Sequence, residues 1–156
     1  MPCPALLLDV DGVLNPYGTV TCPEGFTEFG LFPGEDPVRL CRAHGEWISE
    51  LRHVFDVAWA TAWNDDANRL LAPLLRIAAL PVVTMPPPPF QPRDKVPPLA
   101  QFAARRPAVW IDDLHPAEAR TWSTGRRERT LLIPVAPATG LTREAIDQAL
   151  TWARQT

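Results

Sequence analysis

The sequence lacks the features that mark several common protein classes. Its three cysteines, Cys3, Cys22 and Cys41, are odd in number and show no metal-ligand spacing, which argues against a disulfide framework. No apolar run approaches the roughly 20 residues that span a bilayer. The N-terminus also lacks the basic segment of a signal peptide. We therefore expect a cytoplasmic protein without a membrane segment.

The chain also has little basic charge. Its formal net charge is −3 and its pI is about 5.6, so no global basic field favours nucleic acid or an anionic membrane. Of the fifteen basic residues, fourteen are arginines, and Lys95 is the only lysine. One ammonium group in a chain that otherwise uses arginine makes Lys95 a candidate for a specific chemical role.

Length and composition indicate one folded domain. With 156 residues, of which 46% are hydrophobic, the chain is long enough to bury a sizeable core. Nineteen prolines, four of them at 86–89, predict long and stiffened loops. Because no internal repeat or linker divides the chain, we expect a single domain over residues 1–156.

Short apolar runs alternate with helical patterns along the chain. The runs predict strands at 5–8, 55–61, 80–84, 108–111 and 130–135, and the helical patterns lie at 44–54, 67–77, 94–105, 116–124 and 142–154. Such alternation predicts right-handed crossovers and a parallel sheet. Continuously apolar strands are typical of a sheet covered on both faces. The expected fold class is α/β, a Rossmann-like three-layer α/β/α sandwich with about five central parallel strands.

Residues 15–54 form a small insertion after the first strand. Its first part, 15–36, is rich in Gly, Pro, Thr and Glu, and predicts a loop with a short hairpin around 19–32. A short strand is predicted at 38–41. The insertion is too short for an independent domain, so we expect it to form a flap over the acidic residues that follow the first strand, without a large cap domain.

An acidic pair ends the first apolar run. Asp9 and Asp11 follow Ala5–Leu8 directly, and Gly12 permits a sharp turn. Residues i and i+2 of a strand point to the same side, and two ionised carboxylates held together are costly without a cation. The pair therefore predicts a site for a hard metal such as Mg²⁺.

Polar residues end two further predicted strands. Thr61 follows the second strand, and Asp112 and Asp113 follow the fourth. In parallel sheets, functional residues gather beyond the carboxyl ends of the strands. We therefore expect these residues to share one edge of the sheet with Asp9 and Asp11.

The order Asp-x-Asp, Thr, Lys, Asp-Asp closely resembles the haloacid dehalogenase (HAD) superfamily of phosphohydrolases. Residues 9–15 match its first motif, Thr61 the second, Lys95 the third and Asp112-Asp113 the fourth. The run 59–68 and the Trp-Ile-Asp-Asp at 110–113 are similar to a small capless bacterial and phage group, which is linked by domain association to RNA repair proteins. The resemblance implies a HAD-like hydrolase of the phosphatase type that uses Mg²⁺.

The resemblance implies a catalytic role for four side chains. Asp9 would be the nucleophile that forms an aspartyl-phosphate, and Asp11 would be the general acid and base. Lys95 and Thr61 would stabilise the phosphoryl oxygens. These four residues are the predicted catalytic set.

The predicted metal site draws on four aspartates. The resemblance implies that Asp9, Asp112 and the backbone carbonyl of Asp11 hold Mg²⁺, while Asp113 accepts from a metal-bound water or orients Lys95. The neighbouring Trp63, Asn64, Asp65 and His115 are interpreted as residues of the site rim or as helix caps, and Trp59 and Trp110 as core.

Three hypotheses about the function remain open at this stage. The first is a phosphatase for a small phosphorylated molecule or nucleotide. The second is a phosphatase for nucleic-acid ends, 3′ or 5′, which the acidic pI does not favour; the arginines at 126, 127 and 129 are expected at the sheet edge opposite the acids. The third is a catalytically degenerate HAD fold that serves as a binding module, which the complete acid-Thr-Lys-acid set argues against.

Overall fold

The structure is a computed structural model that describes residues 2–155. Its strands are β1 (Ala5–Leu8), β2 (Phe26–Phe29), β3 (Val38–Cys41), β4 (Asp56–Trp59), β5 (Ala108–Asp112) and β6 (Thr130–Pro134). Its α-helices are α1 (Arg42–Leu51), α2 (Ala72–Leu75), α3 (Val96–Ala103), α4 (Ala117–Gly125) and α5 (Arg143–Arg154). A π-helical segment, Ala67–Leu71, precedes α2, and a 3₁₀ turn, Pro92–Lys95, precedes α3.

The central sheet has four parallel strands in the order β4-β1-β5-β6. The α/β class and the parallel sheet are confirmed, and the architecture is compatible with a Rossmann-like fold, but the expected fifth strand is absent from the described residues. The segment 80–84 forms only one isolated bridge, between Val82 and Trp59. Pro81 has no N–H to donate and the proline-rich loop follows at once, so the segment cannot extend the ladder.

The strand order of the sheet reverses at β1, because the next sheet strand, β4, lies on one side of β1 and the later strands lie on the other. From β1 the chain crosses to β4 on one side, and it later returns to β5 on the other side. Both neighbours pair with β1 in parallel along Ala5–Leu8. In open parallel sheets, such a reversal leaves a crevice beyond the carboxyl end of the central strand, and Asp9 is the first residue there.

Helices cover both faces of the sheet. On one face, α1 and α5 pack over a cluster that contains Leu6, Leu8, Trp59 and Ile133. On the other face, α3 and α4 pack over Leu7, Ala58 and Trp110. Alternate residues of β1 therefore enter opposite cores, and all four are fully buried, which explains why the strand is apolar throughout.

The insertion divides into a flap and a helix. The flap, defined as residues 15–41, contains the antiparallel β2–β3 hairpin, so the hairpin expected at 19–32 instead joins 26–29 to 38–41. Residues 42–51 form α1, which packs on the sheet as a crossover helix. Within the flap, Phe26 packs edge-on against His44 and Phe32 packs against Trp63, so these aromatic side chains fasten the flap to the body of the protein.

The predicted helices are present with shifted ends. The helix expected at 67–77 begins at Ala67 but is π-helical for its first five residues and ends at Leu75. Asn64 and Asp65 are not its N-cap, because Asp66 occupies that position, without a side-chain capping hydrogen bond. The side-chain oxygen Oδ1 of Asn64 instead accepts from the Met85 N–H. Thr142 does cap α5, through its bond from the Ala145 N–H. Within residues 2–155, no helix combines the length and apolar character that crossing a bilayer requires.

His44 is a buried polar group between α1 and the start of α5. Its Nε2 donates to the Leu141 carbonyl at 2.9 Å, while Nδ1 has no partner within residues 2–155. Burial lowers the pKa of His44 to about 4, against its ordinary value of 6.5. The ring is therefore neutral at pH 7, with the proton on Nε2.

This burial makes stability depend on pH. Between about pH 4 and pH 6.5 the unfolded chain binds a proton at His44 that the folded chain does not, so stability falls as the pH falls through that window. We expect this group to lower the free energy of unfolding by about 2 kcal/mol between pH 7 and pH 5. Urea unfolding of His44→Gln, which keeps a donor for Leu141, should lack this loss, whereas the exposed control His53→Gln should retain it. Equal pH dependence in both variants would contradict the assignment.

Candidate active site

Three carboxylates meet beyond the ends of β1 and β5. Asp9 continues β1 through its N–H bond to the Ile111 carbonyl, and Asp112 ends β5 beside it. Asp9 and Asp112 are buried, and Asp113 is half-buried. One oxygen from each of the three lies within 4.8 Å of the others, so adjacent parallel strands have concentrated three acidic groups in one crevice.

Lys95 lies between two of these acids. Its Nζ is 2.8 Å from Asp112 Oδ2 and 3.2 Å from Asp9 Oδ1, and it also donates to the Ala60 carbonyl at 3.3 Å. The 3₁₀ turn before α3 places it there. Asp94 closes that turn by accepting from the Gln91 N–H at 2.8 Å, and Pro97 and Pro98 follow in the first turn of α3, where an N–H is not needed.

The pKa values of Asp9 and Asp112 shift in opposite directions within the ion cluster. Burial raises the pKa of Asp9 well above its usual range; the Lys95 charge opposes this rise and the Asp112 charge adds to it. Burial, the largest single cause, acts in the same direction on Asp112, but the Lys95 charge and the hydrogen bonds from Asp113, Lys95 and the Leu114 N–H together lower the pKa of Asp112. Burial acts to lower the pKa of Lys95, yet the two carboxylates more than compensate and raise it. One ammonium therefore does not neutralise the acids around it.

Asp112 is held by groups that the sequence did not indicate. Its Oδ2 accepts from the indole Nε1 of Trp110 at 3.2 Å, and its Oδ1 accepts from the Leu114 N–H at 3.0 Å. Trp110 is fully buried, as expected for core, but its N–H also fixes the carboxylate. His115 packs edge-on against Trp110 and contacts the Trp110 carbonyl through Nε2, so it supports this side chain from behind.

Asp11 lies outside the three-carboxylate cluster. Its Oδ1 accepts from Asn15 Nδ2 at 3.0 Å, and its Oδ2 accepts from Trp63 Nε1 at 3.1 Å. Asn15 in turn accepts from the Arg39 N–H of β3 at 2.9 Å. Two side chains thus hold the exposed Asp11 carboxylate at the mouth of the crevice, and one of them links it to the flap.

Tyr17 is a further site residue that sequence reasoning missed. Its hydroxyl donates to Asp113 Oδ2 at 2.6 Å, which raises the pKa of Tyr17 to about 12. Burial and the proximity of Asp112 raise the pKa of Asp113, while the Tyr17 hydroxyl opposes that rise. Tyr17 is the only tyrosine in the chain and follows the acidic motif closely, and that rarity was the one available signal.

The Thr61 hydroxyl group has an unused hydrogen-bond donor. The side chain is buried just beyond the end of β4, and its Oγ1 accepts from the Trp63 N–H at 3.2 Å. Within residues 2–155 the hydroxyl donates to no protein acceptor. It can therefore donate to a ligand bound in the crevice.

Gly12 has a specific steric role at this turn. Its φ of +79° lies in the left-handed region, and a Cβ at this position would lie 2.5 Å from Asp113 Oδ2. The absence of a side chain thus permits both the turn and the approach of Asp113.

Two cavities adjoin Asp11 on either side. The aromatic cavity, about 690 Å³, is lined by Asp11, Asn15, Phe32, Gly34, Glu35, Asp36, Val38, Ala62, Trp63 and Asp66. The flap cavity, about 560 Å³, is lined by residues of the flap together with Asp11. Both cavities reach Asp11, but neither is lined by Asp9, Asp112, Asp113 or Lys95.

The remaining candidates lie away from the crevice. Asp65 is exposed, and its side chain bonds to no other residue within the described part of the chain. Arg126 donates to the Ala104 and Arg106 carbonyls, and Arg129 stacks on Trp152. Both arginines precede β6, so they lie at the sheet edge opposite the acids, as the sequence predicted.

The donor set of the crevice fits a hard divalent cation. All three clustered ligand atoms are carboxylate oxygens, the class that Mg²⁺ prefers. Three carboxylates share the single Lys95 ammonium, and a divalent ion would supply the missing positive charge. The side chains of Asp9, Asp112 and Asp113 are the ones placed to hold it.

Comparison with known proteins does not assign the chain to a family. No protein-family model, curated protein or solved structure matches the chain. The interpretation of the site therefore depends on its own residues.

The contact between Gly12 and Asp113 can be tested by substitution. We expect Gly12→Ala to lower the free energy of unfolding by roughly 1–2 kcal/mol through its left-handed backbone, with a further loss because Asp113 must move. Gly18→Ala is a matched control, since its φ is +92° and nothing lies within 4 Å of its Cβ position. Denaturant unfolding should show the larger loss for Gly12→Ala, and equal losses would contradict the steric role.

Proposed function

We propose that this protein is a Mg²⁺-dependent phosphomonoester hydrolase that works through an aspartyl-phosphate on Asp9. The proposal includes membership of the HAD-like superfamily, which the four motifs resemble. The observation that carries it is the position of Asp9. This buried carboxylate ends the central strand, lies beside two further carboxylates and has the only lysine 3.2 Å away.

Each of these residues suits a part of phosphoryl transfer. An oxygen of Asp9 attacks phosphorus, and the bond from phosphorus to the leaving oxygen breaks. Asp11, at the mouth of the crevice, gives its proton to that oxygen. It then takes a proton from the water that attacks phosphorus and releases Asp9. Asp11 is thereby protonated again, and inorganic phosphate is the product.

Other side chains stabilise the charge that develops on the phosphoryl oxygens. Lys95 offers a compact ammonium in a partly dehydrated crevice, where its effect is stronger than in water. Thr61 adds a hydroxyl donor. When bound by Asp9, Asp112 and Asp113, Mg²⁺ would reduce the repulsion between the phosphate dianion and the Asp9 carboxylate. Trp110 and Tyr17 hold two of these carboxylates in place.

Substitution of the nucleophile tests the proposal. With Mg²⁺ present, the wild-type protein should hydrolyse p-nitrophenyl phosphate, and Asp9→Asn should reduce kcat by on the order of 10³-fold or more because an amide oxygen does not form the covalent intermediate. Release of p-nitrophenol is the measurement. Asp147→Asn is a matched control on the exposed face of α5 and should remain active.

Circular dichroism and denaturant unfolding should show that Asp9→Asn stays folded, so that lost activity reflects lost chemistry. Retained activity in a folded Asp9→Asn protein would refute the nucleophile. Absence of hydrolysis in the wild type, across a broad panel of phosphomonoesters, would favour the binding-module hypothesis instead.

Metal binding can be measured without turnover. Calorimetric titration of the wild type with MgCl₂ should show one site, and Mg²⁺ should raise the free energy of unfolding by linkage. Asp112→Asn and Asp113→Asn should each weaken binding, by roughly tenfold or more, since each removes a charged ligand. Asp65→Asn, an exposed neighbour outside the cluster, is the control. A wild type that binds no Mg²⁺ would remove the metal from the mechanism.

A further inference from the structure

The aromatic cavity has an unusual charge for a site proposed to take a phosphate ester. Four of its ten lining residues are acids, namely Asp11, Glu35, Asp36 and Asp66, and none is basic. A leaving group that carried further negative charge would enter this cavity against repulsion. A lining of this charge favours a cationic group over an anionic one.

Two of the four acids are already engaged. Asp66 forms an ion pair with Arg69 at 2.9 Å, and Asp11 accepts from Asn15 and Trp63. Glu35 and Asp36 differ, because within residues 2–155 neither has a basic side chain within 4 Å. These two carboxylates supply negative charge that the protein itself leaves unbalanced.

The flap cavity offers no compensating cation. Its one basic lining residue is Arg39, and every part of that guanidinium is in use. Nε donates to Glu28 at 3.3 Å, one terminal nitrogen to the Thr19 carbonyl at 2.9 Å, and the other to the Val20 carbonyl at 3.0 Å. Arg39 therefore holds the flap together and is not free to bind an anionic group.

The aromatic cavity also presents π-surfaces. The rings of Phe32 and Trp63 are 5.5 Å apart and inclined at 54°, and both residues line the cavity with Glu35 and Asp36. Aromatic rings attract cations, and together with carboxylates they recognise ammonium groups in preference to anions. Trp63 also donates to Asp11, so the same side chain touches both the cavity and the proposed general acid.

We infer that the alcohol released from the substrate is a small organic cation, an amine or quaternary ammonium, which the aromatic cavity holds beside the contacting rings of Phe32 and Trp63 and near the carboxylates of Glu35 and Asp36. This inference rests on the proposed phosphatase activity. It makes polynucleotide ends poor substrates, because the phosphates next to the reacting end would face these carboxylates.

A series of small esters tests the charge preference. Ethanolamine phosphate, glycerol 1-phosphate and phosphoglycolate are similar in size but have cationic, neutral and anionic alcohols. With Mg²⁺, kcat/KM should fall in that order, with the two extremes differing on the order of tenfold or more. A 5′-phosphorylated oligonucleotide should rank with phosphoglycolate. An equal or reversed order would overturn the inference.

A charge-matched pair of variants locates the effect. The double substitution Glu35→Gln, Asp36→Asn should reduce the ratio between ethanolamine phosphate and phosphoglycolate by several-fold. Glu46→Gln, Glu144→Gln changes the net charge equally at exposed positions outside both cavities and should leave the ratio at its wild-type value. A ratio that both double variants change equally would overturn the assignment to this cavity.

Binding of the alcohol alone separates this inference from the phosphatase proposal. Choline should bind the wild type and perturb the Trp63 indole NMR signal, identified by its loss in Trp63→Phe, whereas glycolate should not. Choline binding that depends on Glu35 and Asp36 would support the cation site even if no ester is hydrolysed. Hydrolysis without charge preference and without choline binding would retain the phosphatase and overturn the cation site.

Discussion

The Lys95 ammonium between Asp9 and Asp112 is the interaction on which the rest of the structure depends. Two carboxylates at the ends of adjacent buried strands repel each other and are costly to dehydrate. The positive charge of Lys95 offsets this cost. Lys95 belongs to the segment before α3, which packs on the opposite face of the sheet from the flap. The sheet order, the 3₁₀ turn before α3 and the fully buried β1 all place charge at this point. The crevice keeps more acid than base even so, and this excess of negative charge is what makes it a candidate cation site.

Residues of the flap and residues of the body of the protein both bond to the carboxylates of the site. Asn15 joins the β3 backbone to the Asp11 carboxylate, and Tyr17 joins the flap to Asp113. Because Phe26 and Phe32 pack on the body, the flap is anchored by apolar contacts at the side and by hydrogen bonds over the acids. A short flap of this kind lines the aromatic cavity and also contacts the clustered carboxylates through Tyr17.

The sequence predicted the site residues whose charge is unexpected at the end of a buried apolar strand. Carboxylates that interrupt apolar strands identified Asp9, Asp112 and Asp113, and the scarcity of lysine identified Lys95; the structure brings all four together. Tyr17 and Asn15 were missed because their partners depend on the path of the flap, which no periodicity encodes. Trp110 was assigned to the core correctly, but hydrophobicity does not reveal where an indole N–H points.

The fold was predicted in class and misjudged in detail for similar reasons. The strands β1, β4, β5 and β6 are marked by apolar runs that both faces of the sheet bury. The run at 80–84 has the same composition, but Pro81 removes one ladder donor and only a single bridge survives. The predicted position of the hairpin was wrong because its two strands, 26–29 and 38–41, pair across the loop at 30–37. The sequence contains no short turn signal that fixes this register.

The position of β1 between β4 and β5 also links the site to cooperativity in folding. Asp9 meets Asp112 and Asp113 only when β1 is paired with β5, and Lys95 bonds to Asp9, to Asp112 and to the Ala60 carbonyl just beyond β4. Separation of β1 from β5 would therefore part Asp9 from the other two acids, and loss of β4 would remove the Ala60 contact of Lys95. Any ligand that binds the crevice stabilises the complete sheet rather than one element, so occupancy of the site and global folding are thermodynamically coupled.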